Sequence, residues 1–194
     1  MLEVHFERDA RRWDHVSVQT IPGRAFSPGR VGTHERNWSM PSYGGALPHD
    51  AVHLVVEGAF GLRGGLFGKV AQGADPAAVN AEVHAARRAG RAPRGFGPEP
   101  GELLTAEALA AVHWYDPDAG TARLRDVHDR CADFGAVVPE TLTLERCERV
   151  VQVLRGLRAR FRAGGERALV LSFDPVTPTR TFERLWVELV RVPA

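Results

Sequence analysis

Lysine is almost missing from this chain. Of its 25 basic residues in 194, only Lys69 is not arginine, and with the abundance of alanine and glycine that points to a GC-rich coding sequence before it points to any function. A net charge of one sign is missing too. The 25 basic residues face 24 acidic ones and leave +1, so no global field holds the protein on DNA or on an anionic membrane. Cysteine is scarce: Cys131 and Cys147 stand alone, outside any C-x-x-C pair, and read as reduced thiols rather than as a zinc or redox motif. No run approaches the roughly 18 apolar residues of a membrane span. The chain opens directly into the strand-like segment Leu2 to Phe6 without a basic leader, so the expected location is cytoplasmic. The sequon Asn37-Trp38-Ser39 is then a chance match.

What is present is enough apolar residue, 44%, for one hydrophobic core, and a single domain over 1–194 is the expectation. Leu2, Val4 and Phe6 alternate with polar residues. After the turn-like Arg8 to Arg12 the pattern resumes at Trp13, His15 or Val16, Val18 and Ile21, predicting a hairpin with one buried face. From 22 to 47 proline, glycine, serine and arginine dominate, which predicts a long irregular loop whose His34, Glu35, Arg36 and Trp38 could fold over a site.

Helices are predicted over 48–62, over 76–88 with Asp75 as N-cap, from Thr105 as N-cap to Trp114, over 121–134, and from the Thr143 cap to Phe161. Leu66 to Ala71 adds a short helical turn, 90–101 reads as a loop, and 116–120 carries turn chemistry. In the long helix Leu144, Cys147, Val150 or Val151, Leu154, Leu157 and Phe161 recur at spacings of three and four. Gly164-Gly165 stops it before a buried strand at 168–173. Residues 179–192 fit helix and strand equally well. Together these elements predict an α+β fold in which a small antiparallel sheet, the N-terminal hairpin plus the strand 168–173, packs against four or five helices.

One segment concentrates chemistry. At about 100° per residue, His49, Asp50, His53 and Glu57 fall within an arc of about 100°, while Ala51, Val52, Leu54, Val55, Val56 and Ala59 cover the rest of the helix. In a protein so rich in arginine, a solvated stripe would carry Arg and Glu; this one carries two imidazoles and two carboxylates. Histidines at i and i+4 can reach one divalent ion, zinc above all, so His49 and His53 are the expected metal ligands. Glu57 lies about 12 Å along the axis from His49. It can pair with His53 or orient it, and Asp50 or Glu57 is the expected catalytic carboxylate or supporting group. A third ligand is not set by spacing, leaving His84, His113, His128 and Glu82 open. The competing reading is structural: Asp50 complements the helix dipole in the first turn, and histidines there bond loop carbonyls.

The segment H-D-A-V-H resembles the H-E-x-x-H helix of zinc metallopeptidases, where the carboxylate after the first histidine is the general base for the attacking water; Asp50 departs from that pattern by one methylene. More broadly, L-P-H-D-A-V-H-L-V-V-E at 47–57, followed by G-L-R-G-G-L-F-G at 61–68 and by the G-G-x-x-x-L-x-L stretch at 164–171, resembles a family of uncharacterised bacterial proteins of similar length. That resemblance implies a shared fold and draws attention again to His49, Asp50, His53 and Glu57, without supplying a mechanism.

Other signals are weaker. The glycines from Gly61 to Gly68 before Lys69 lack the spacing of a phosphate loop and follow a helix, so they read as a helix stop and a close-packing device. His128 and Cys131 could meet as a thiol–imidazole pair, but the cysteine lies on the inward phase of its helix. Arg87, Arg88, Arg91 and Arg94, and Arg155, Arg158 and Arg162, are the only basic clusters to offer nucleic acid. The leading expectation is a metal-dependent hydrolase acting on a small molecule or peptide. The rival is a non-catalytic interaction or regulatory module, possible with nucleic acid, in which the stripe is structural.

Overall fold

The computed structural model describes residues 1–9, 13–20, 36–41, 47–91, 93–94, 100–115, 121–163 and 168–191. The hairpin forms as expected from β1 (Leu2–Arg8) and β2 (Trp13–Thr20), paired antiparallel from Leu2↔Thr20 to Arg8↔Asp14. The inward phase of β2 is Asp14, Val16 and Val18, and Trp13 is exposed. This corrects the expectation that Trp13 faces the core. Register explains it: Arg8 and Asp14 sit opposite one another on the buried face, joined by Nε–Oδ1 at 2.6 Å and Nη2–Oδ2 at 3.1 Å. The two-pronged pairing lets both charges leave water, and the guanidinium also stands 5.2 Å over the Phe161 ring.

Two further strands complete the sheet in the order β3-β2-β1-β4. β4 (Ala168–Phe173) pairs antiparallel with β1, and β3 (Arg36–Pro41) pairs antiparallel with β2. β3 lies inside the stretch expected to be an irregular loop; a short edge strand held by main-chain pairing needs no apolar alternation to announce it. Residues 22–35 and 42–46 of that stretch, including His34 and Glu35, lie outside the described residues, as do Ile21, the 116–120 turn and Gly164-Gly165.

Helices α1 (His49–Phe60), α2 (Leu66–Ala71) and α3 (Pro76–Arg88) follow, and the Asp75 carboxylate accepts from the Ala78 N–H at 2.9 Å, as an N-cap should. α4 (Pro100–Ala110) starts five residues before the expected cap. Thr105 instead lies inside it, with its hydroxyl 3.2 Å from the Gly101 carbonyl and 3.0 Å from that of Val137, so the hydroxyl finds main-chain acceptors within and beyond the helix instead of capping it. α5 (Ala122–Phe134) and α6 (Leu144–Ala163) match expectation, and the Thr143 hydroxyl accepts from the Arg146 N–H at 3.1 Å. The ambiguous tail is α7 (Pro178–Trp186) and a π-turn over Val187–Arg191. The architecture is the α+β arrangement expected, with the short α2 and α7 added to five longer helices among the described residues.

α1 is the centre of the molecule: all its residues except His49 are buried. α4, α6 and α7 pack around it. α7 comes close because Gly58 has no side chain, and a Cβ there would stand 3.3 Å from the Phe182 backbone nitrogen. The sheet's inner face meets α2 through Phe67, whose ring lies 6.3 Å from Phe6 and 5.8 Å from Phe173. Among the described residues, no helix is long and apolar enough to cross a membrane.

Candidate metal centre

His49 begins α1 and His53 follows one turn later, their rings edge to face with centroids 5.0 Å apart. α4 lies beside α1 and contributes Glu107. One ligand atom each from His49, His53 and Glu107 lies within 4.8 Å of the other two, so the three are close enough to hold a metal ion. The two nitrogens of His53 divide their surroundings. Nε2 is 3.7 Å from Glu107 Oε2, and Nδ1 is 3.8 Å from Glu57 Oε1. Both separations exceed a hydrogen bond, and Nδ1 is buried without a partner.

Glu57 is fully buried. Its carboxylate accepts from the Phe67 N–H, at 3.0 Å to Oε2 and 3.4 Å to Oε1. The main chain reaches it because Gly65 has no Cβ: one placed there would fall 2.7 Å from Oε2. Gly68 likewise passes against the Arg63 carbonyl where no side chain would fit. The glycine cluster therefore wraps a carboxylate of the protein itself. The same loop is tied to α4 by the Gly64 N–H, which donates to Glu102 at 2.6 Å, fixing the helix that carries Glu107.

Electrostatics separates the two imidazoles. Burial and the neighbouring His53 push His49 down to about 3, leaving it a neutral lone-pair donor at ordinary pH. Burial also lowers His53, but the carboxylates of Glu107, Glu57 and Asp50 outweigh it and hold it up at about 9. Burial raises Glu57, against the opposing pull of His53 and of the N–H groups of Phe67 and Leu66. The cluster thus retains a proton, centred on His53, where a cation is favoured. Asp50 is buried in the first turn.

None of the four residues left open as a third ligand belongs to this group. His84 and His128 are exposed, and His113 is exposed and held by Asp126 at 3.1 Å. Glu82 is engaged by Arg91 at 2.6 Å and by the Arg94 N–H at 2.7 Å. Glu107 of α4 is the third member, and helical spacing on α1 does not point to it. Its signal was there: a lone acid in the apolar run Leu103 to Ala110, the same anomaly that marks α1.

His49 also lines a recess of about 150 Å³ together with Tyr115. Leu47, Val52, Ala110, Val112 and Trp114 make the rest of the wall. Burial raises the Tyr115 phenol to about 12, so it stays protonated. The alternative nucleophile dissolves, because Cys131 is buried with its thiol raised while His128 is exposed. The basic clusters are partly spent on packing: Arg87 stacks 4.1 Å over Phe134, Arg91 pairs with Glu82, and Arg158 lies 5.4 Å over Tyr115. No protein-family model, no curated protein and no solved structure matches the chain.

Proposed function

We propose that this protein is a zinc-dependent hydrolase whose ion is held by His49, His53 and Glu107. The observation that carries the reading is the division of labour at His53, with Nε2 turned toward the second helix's carboxylate and an unpartnered Nδ1 toward a fixed one. A zinc ligand histidine wants this: one nitrogen on the ion, the other donating to a carboxylate that sets tautomer and orientation. Tetrahedral zinc at ~2.1 Å spaces its ligand atoms by ~3.4 Å, so the three groups close on an ion by small side-chain rotations. Two imidazoles and one carboxylate leave the fourth position open, as catalytic zinc sites do. When bound, the ion supplies a Lewis acid and lowers the pKa of water toward neutrality.

The roles of the two expected catalytic carboxylates then differ. Glu57, buried and fixed by the Phe67 N–H, orients His53. Asp50, directly after His49, takes the position of the base in H-E-x-x-H. The substrate is a small molecule or peptide, and hydrolysis places the hydroxyl of water on the attacked centre and the proton on the leaving group.

The test is metal analysis of purified protein. Wild type is expected to carry about one zinc per chain, and His49→Ala with His53→Ala, or Glu107→Gln alone, to lose it. Asp50→Asn should keep the metal and lose turnover. A second reading is favoured by the elevated His53: a buried imidazolium between Glu107 and Glu57 that only ties α1 to α4 in a non-catalytic module. In that case Glu107→Gln lowers stability while wild type binds no zinc.

A further inference from the structure

The recess beside His49 shares a wall residue with the metal group, and its chemistry is selective. Among the described residues, its walls carry no charged side chain. The Trp114 indole N–H is already committed to the Leu109 carbonyl at 2.8 Å. The Tyr115 hydroxyl is buried and has no partner among the described residues, so it is an uncommitted donor in the wall. At about 150 Å³ the space matches apolar cavities known to accept benzene, and it is well below the ~300 Å³ and more of pockets for whole drug-sized ligands. A single side group fits; a large ligand does not.

We infer that this recess is the subsite that selects the hydrolase's substrate, taking a neutral apolar side group of up to about benzene size that lies next to the bond cleaved. The assignment rests on the proposed zinc centre, since His49 is what joins the recess to the reacting atoms. Charged side groups are disfavoured by desolvation, as no lining residue among those described carries a charge to pair with them. Val52 and His49 come from α1 and Ala110 from the end of α4, so the two helices that hold the ion also set the width of the subsite.

Two zinc-chelating probes that differ only in their side group test it. Zinc is titrated first into metal-free protein. Acetohydroxamic acid and benzohydroxamic acid are then bound to the zinc-loaded form by calorimetry. The phenyl probe is expected to bind at least roughly tenfold more tightly than the methyl probe, from burial of its apolar area. Ala110→Leu should erase that preference while zinc affinity is kept, and Val112→Phe fills the same space from another wall should the first variant fail to fold. Equal affinities in wild type, or a preference that survives both fillings, overturns the subsite and leaves the zinc centre standing. Failure to bind zinc in the first titration overturns the proposed function, and the substrate assignment falls with it.

Discussion

At the proposed zinc site, His53 is the group whose proton the ion would displace. Because neighbouring carboxylates keep it up at about 9 while His49 is down at about 3, zinc binding near neutrality releases one proton from the pair rather than two. Apparent zinc affinity should therefore rise about tenfold per pH unit between 7 and 9 and flatten above. Competition with a chromophoric chelator reads the slope, and a slope near two would refute the assignment. The metal-free protein carries the opposite signature. His53 is raised in the folded state, so its contribution is complete below 6.5 and is lost as pH climbs through about 9. His49 is lowered, so its contribution is present above 6.5 and is lost as pH falls toward about 3. Chelator-treated protein should show both limbs in its melting temperature, and His53→Ala should remove the alkaline one. Glu57→Gln, which keeps shape and drops the charge facing Nδ1, is expected to weaken zinc binding by about 10–100-fold.

At the scale of elements, two glycines of one loop predict different outcomes. Gly61 ends α1 at φ 72°, a left-handed conformation that costs any other residue about 1 kcal/mol. Gly61→Ala should lower stability by that amount and leave zinc affinity alone. Gly65 has φ −70°, which every residue adopts, so only space matters there. Its substituent would strike the Glu57 carboxylate, and Gly65→Ala should cost about 1–3 kcal/mol and also weaken zinc binding. Urea denaturation and zinc titration on the two variants separate backbone strain from displacement of Glu57. α4 shows why element boundaries misled: Thr105 follows a Pro- and Gly-rich stretch and looks like a cap, yet its hydroxyl reaches Val137, 32 residues on, a partner no local pattern announces.

For the molecule as a whole, the proposed ion and the buried Arg8–Asp14 pair act on stability in separable ways. The proposed site is assembled only by the folded chain, so zinc at 100 times its Kd should add about 2.7 kcal/mol, read as a rise of roughly 5–10 °C in melting temperature for a chain of this size. EDTA should reverse it. Asp14→Ala removes one partner of the pair and leaves Arg8 without its bidentate acceptor on the core face; about 3–5 kcal/mol of destabilisation is expected, with zinc affinity unchanged because the sheet does not supply a ligand.

The α+β class, the hairpin, the Asp75 and Thr143 caps and the polar stripe of α1 were all legible in the chain itself, because alternation, helical period and capping are local and act within a few residues. Helical spacing also placed His49, His53 and Glu57 on one face. Spacing could not supply Glu107, 54 positions beyond His53 in the sequence, nor say which nitrogen of His53 faces which carboxylate. Nor could it tell that the glycines of 61–68 admit the main chain to Glu57, or that the described tail to Arg191, apolar on both periods, is helical and packs on Gly58 through Phe182. Those facts arise when α4, α2 and α7 close on α1, and contacts between distant segments are a property of packing, which no window along the chain contains.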